Sequence, residues 1–121
     1  MGAEKYTDDP RDLCNVKDLD QFYNRVEVML RNMKRLVKPS DFEKKIYKPI
    51  IMKVGSQRRG KQGLYRMDSE IEMIGRRVGL VLHDVITNEL KPTLQYLQQC
   101  IANKITVKCH ETSLVFLKYE V

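Results

Sequence analysis

The side chains best suited to bond-making chemistry are few and scattered. Cysteine stands at Cys14, Cys100 and Cys109, and histidine at His83 and His110. A structural zinc site needs about four ligands at workable spacing. No CxxC pair occurs, and Cys14, Cys100, Cys109 and His110 meet only if the fold happens to gather them. No metal or other cofactor is expected. Cys14 and Cys100 read as small buried apolar residues. His83 and Asp84 are neighbours, so on a helix they would point about 100° apart and form no base–orienter pair. His83, beside Leu82, is expected to pack rather than react. The signatures GxSxG, HExxH and GxGxxG are absent, and the glycines of residues 55–63 do not fit GxxxxGK[ST]. The acids Asp8, Asp9, Asp12, Asp18 and Asp20 cluster without convergent partners. Their expected role is to neutralise a basic surface elsewhere. The chain is read as non-enzymatic.

Binding chemistry is better represented. The 121 residues carry a net charge of +6, and its distribution matters more than its total. Residues 1–27 hold four basic and seven acidic side chains. Residues 28–67 hold twelve basic side chains against Asp41 and Glu43 alone. Residues 68–121 return to six basic and seven acidic. The basic stretch 31–66 divides again. Its first part, Arg31 to Lys38, belongs to a helix and reads as a solvated flank. Its second part, 44–66, contains Lys44, Lys45, Lys48, Lys53, Arg58, Arg59, Lys61 and Arg66 and no acid.

Such one-sided density costs self-repulsion and attracts polyanions. Tyr47 and Tyr65 lie within it and can stack on bases. These ten residues are the expected nucleic-acid contacts, with RNA or single strands favoured and the phosphate backbone the main target. No helix presents Asn, Gln and Arg at base-reading spacing. The rival reading is an interaction or assembly module. Its basic patch would meet an acidic partner, and its C-terminal strand or apolar helices would form a homo-oligomer. An anionic membrane surface ranks third, because only Phe42, Ile50 and Ile51 could anchor it.

Other features narrow the setting. No apolar run approaches the ~18 residues of a membrane span. The polar, acidic start is no signal peptide. Met1-Gly2 raises N-myristoylation, but Tyr6 stands where that signal wants Ser or Thr, so an ordinary N-terminus is expected. Sparse, odd-numbered cysteines suit a reducing compartment, cytoplasmic or nuclear.

Hydrophobic residues are 42% and charged residues 31% of the chain, a globular mix. Residues 1–14 read as a flexible acidic lead-in and 15–121 as a single domain. Leu19, Phe22, Tyr23, Val26, Met29, Leu30, Met33, Leu36 and Val37 recur at helical spacing. Asp18 is the expected N-cap and Pro39 marks the end. Ser40 can open a short second helix, with Glu43 completing a capping box and Pro49 as its limit. Ile50–Val54 suits a strand or a helix end. The glycine-rich segment 55–63 reads as a loop, or as the basic tip of a hairpin with 50–54 and 64–67 as arms.

From Asp68 or Ser69 the stripe Ile71, Ile74, Val78, Val81, Leu82 and Val85 predicts the longest helix. Gly75 and Gly79 would admit a close neighbour, and Arg76 and Arg77 would extend the basic surface. Pro92 ends that helix or kinks it, and Asn103 caps the next. Alternation from Ile105 onward, with a turn at Glu111-Thr112-Ser113, predicts a C-terminal β-hairpin. The expected fold is therefore α-rich α+β. It has three or four helices packed with a C-terminal β-hairpin, and room for a second hairpin around residues 50–67.

Overall fold

Period, caps and breakers make the first helix. A computed structural model describes residues 18–58, 60–105 and 110–120. In it α1 spans Leu19–Leu36. The Asp18 carboxylate accepts from the Gln21 N–H at 2.7 Å, which satisfies one of the orphan donors of the first turn. Phe22, Val26 and Leu30, four residues apart, are its buried face. Val37 leaves the helical region two residues before Pro39.

No second helix follows. Residues 41–46 form a tight turn in which Asp41 and Ile46 exchange backbone hydrogen bonds at 2.9 and 3.0 Å. A helix confined between Pro39 and Pro49 is too short to repay its nucleation. The Ser40 hydroxyl therefore does not cap a helix; it accepts from the Lys48 N–H at 2.9 Å.

Ile50–Val54 is a strand, β1. Its partner is the last strand, β5, His110–Leu117, with Ile50 opposite Phe116 and Met52 opposite Leu114. The hairpin around 50–67 thus lacks its expected arms. A smaller one replaces it: β2, Gln57–Arg58, pairs antiparallel with β3, Leu64–Tyr65, across a short 3-10 turn at Gly60–Gln62.

The predicted longest helix is half helix and half strand. α2 spans Met67–Arg77 and β4 spans Val81–Glu89. Gly79, at φ +90°, makes the break. The Gly79 N–H donates to Arg76 O and the Leu80 N–H to Gly75 O, at 3.1 and 2.9 Å. This double closure is the Schellman end of a helix. Beyond it Val81, Val85, Ile86 and Thr87 are β-branched and prefer the extended chain. The apolar spacing of three and four runs on across the break by coincidence. Gly75 does admit a close neighbour: a Cβ there would meet the Phe116 ring, with its Cζ at 2.6 Å.

Thr93, not Pro92, begins α3, Leu94–Ala102, by accepting from the Tyr96 N–H at 3.2 Å. Pro92 sits just ahead of the cap, and Asn103 closes the helix through Nδ2 on Gln99 O. Cys100 is fully buried.

The main sheet has the order β1-β5-β4, all antiparallel. Leu114 and Phe116 of β5 pack with Phe22, Val26, Leu30, Ile71 and Ile74 from α1 and α2. Helices thus cover one face of a three-stranded sheet, a mixed α+β arrangement with three α-helices among the described residues. Glu111, Thr112 and Ser113 lie inside β5 rather than at a turn. The expected first arm of that hairpin, apart from Ile105, lies outside the described residues, as do the lead-in 1–14, Cys14, Arg59 and Cys109. Because β5 is central and paired on both sides, its residues Leu114 to Leu117 are buried and offer no edge to a second copy.

Candidate nucleic-acid interface

The expected contact residues fall on separate elements rather than on one loop with two arms. Lys44, Lys45, Tyr47 and Lys48 belong to the 40–48 loop. Lys53 is on β1, Arg58 on β2, Lys61 on the 3-10 turn, Tyr65 on β3, and Arg66 just before α2. Arg59 lies outside the described residues.

Pairing separates them further. Lys53 Nζ meets Glu111 at 2.8 Å, and Arg66 meets Asp68 at 3.2 Å. Arg76 meets Glu72 at 3.4 Å, and Arg77 meets Glu27 at 2.7 Å, so neither is a spare cation on a basic surface. Glu27 also receives Arg31 at 3.3 Å. The Arg77 hydrogen bond, helped by both arginine charges, holds the Glu27 carboxyl below its usual range. Lys34 is committed as well, donating to Val78 O at 2.9 Å. By contrast Lys44, Lys45, Lys48 and Lys61 are exposed and form no ion pair among the described residues.

The 40–48 loop is built rather than loose. Ser40 donates its N–H to Lys118 O at 2.7 Å and is only 6% exposed. Asp41 Oδ1 accepts from the Lys44 N–H at 3.0 Å. Lys45 takes a left-handed φ of 55°, which closes the turn. This frame holds Phe42 in water at 65% exposure. It also sets the Tyr47 ring against His83, with centroids 4.7 Å apart and planes tilted by 37°.

His83 is not a packed helical residue. It is exposed, at the β-bulge where the register of β4 shifts between Leu82 and Asp84. Helical spacing in the sequence hides both aromatic positions, Phe42 and His83. The bracketing prolines, Pro39 and Pro49, are the signal against a helix at the first.

A second surface lies on α1. Val28, Met33 and Leu36 point outward and line a groove of about 540 Å³ with Asn24 and Asn32 at its rim. Among the described residues, no group of three or more His, Cys, Asp or Glu side chains is placed to hold a metal ion. No described helix is long and apolar enough to cross a membrane.

The chain matches no protein-family profile, and no curated protein matches it in sequence. Its fold resembles part of a crystal structure from Thermus thermophilus, of a protein described provisionally as a DNA modification methylase. The TM-score is 0.63 at 17% identity, over 84% of this chain. The chain spans 38% of the length of that protein.

Proposed function

We propose that this chain binds nucleic acid, DNA ahead of RNA, through the lysines of the 40–48 loop. One observation carries the reading. Lys44, Lys45 and Lys48 are exposed and without ion pairs among the described residues, while Lys53, Arg66, Arg76 and Arg77 are answered by carboxylates. Ammonium groups held clear of protein acids are free to displace counterions from phosphates. Lys61 adds to this set; Lys53 and Arg66 drop to minor roles. The description of the structural neighbour turns the expected ligand from RNA towards DNA. In this reading the chain supplies contact with the nucleic acid, and no reaction is assigned to its residues. The setting is intracellular, cytoplasmic or nuclear.

A second reading, an assembly module, is favoured by the apolar groove on α1. Solution mass distinguishes the two. Fluorescence anisotropy with labelled duplex DNA, single-stranded DNA and RNA tests the first. Saturable binding to DNA, weakened when Lys44, Lys45 and Lys48 together become alanine, is expected. A stable oligomer with no affinity for any of the three overturns it.

A further inference from the structure

The 40–48 loop does more than display charge. It forms one wall of a cleft of about 550 Å³, with Tyr119 on the other side. The volume is in the range of sites that hold small molecules, about 300–1,000 Å³. The cleft lies where the chain enters β1 and leaves β5, and a parallel bridge between Ser40 and Tyr119 ties its floor together.

The lining has a definite chemistry. Lys38 and Lys48 bring two ammonium groups and Phe42 an exposed ring. Glu43 and Glu120 bring acceptors. Asp41, also in the lining, is occupied by the Lys44 N–H. A large apolar ring kept in water by a hydrogen-bonded turn loses burial energy unless something covers it. A flat base covers a ring, cations beside it suit a phosphate, and carboxylates suit the amino group of a base edge.

We propose that this cleft holds one unstacked nucleotide of a bound strand, its base against Phe42 and its phosphate on Lys38 and Lys48. The inference rests on the nucleic-acid reading and deepens it, because it separates strands with accessible bases from duplexes. Phosphate contact by Lys44 and Lys45 alone would not.

The chain contains no tryptophan, so Phe42→Trp places a single reporter at the cleft. The exposed position tolerates the larger ring. Its fluorescence is followed during titration with three probes: a short single strand of deoxycytidine, an abasic strand of equal length, and a duplex of equal length. Anisotropy of a dye on each probe reports binding separately. Quenching by the deoxycytidine strand, with neither quenching by the abasic strand nor by the duplex, is expected. Phe42→Ala should weaken the single strand about tenfold and leave the abasic strand unchanged. Lys48→Ala should weaken both strands together. Binding of all three probes without quenching, or with equal quenching, overturns the cleft assignment and leaves the nucleic-acid reading standing. Failure of every probe to bind overturns both.

Discussion

The ammonium of Lys34 on α1 lies 2.9 Å from the carbonyl of Val78, where α2 ends. Lys118, just past β5, does the same service for α1, donating to Lys34 O at 2.9 Å and Val37 O at 3.2 Å. Two cations of a basic protein are thus fixed on helix C-termini, where partial negative charge collects. Lys34→Met keeps the aliphatic stem and removes the charge. It should lower stability by about 0.3–2 kcal/mol, read from the urea midpoint, and leave DNA affinity unaltered.

The two glycines of α2 and its end answer to different demands. Gly75 faces Phe116, which is fully buried. Helix propensity alone would make Gly75→Ala stabilising by about 1 kcal/mol. Overpacking against the ring should reverse the sign, with a net loss of about 1–2 kcal/mol. Gly79 sits at φ +90°, so Gly79→Ala should cost about 1–2 kcal/mol through backbone strain. Thermal unfolding of both variants checks the pair, and a stabilised Gly75→Ala would contradict the described contact.

Glu27 links α1 to α2 through Arg77. Its carboxyl is lowered in the folded chain, chiefly by that hydrogen bond. A group with a depressed folded pKa contributes stability above its unfolded value and loses it as pH falls through the folded one. The parent should therefore lose more stability on acidification below the ordinary glutamate range than Glu27→Gln does. Urea midpoints at neutral and acid pH give the comparison, and parallel acid losses would contradict it.

Much of this is legible in the residues, but unevenly. The cap at Asp18, the stripe through Phe22, Val26 and Leu30, and the cap at Asn103 are local effects, carried by spacing and side-chain chemistry. The pairing of β1 with β5 joins residues about sixty positions apart, and nothing local specifies it. The boundary at Gly79 is masked because apolar residues of α2 and β4 share a helical spacing across a turn. Charge is legible as a total and misleading as a map. Glu111 and Asp68 neutralise Lys53 and Arg66, one of them from far along the chain. Density along the sequence therefore overstates the surface around residues 50–66 and hides the distinctness of the 40–48 loop.

The central claim is that Lys44, Lys45 and Lys48 meet phosphates. The slope of log affinity against log salt counts such contacts, at about 0.9 per phosphate on duplex DNA. The measurement compares that slope for the parent, for the triple variant with alanine at these three positions, and for Lys91→Ala as a control outside the loop. A fall in slope of about 2–3 for the triple variant, with the control matching the parent, is predicted. Equal slopes for all three proteins, or no measurable binding by the parent at low salt, would contradict it.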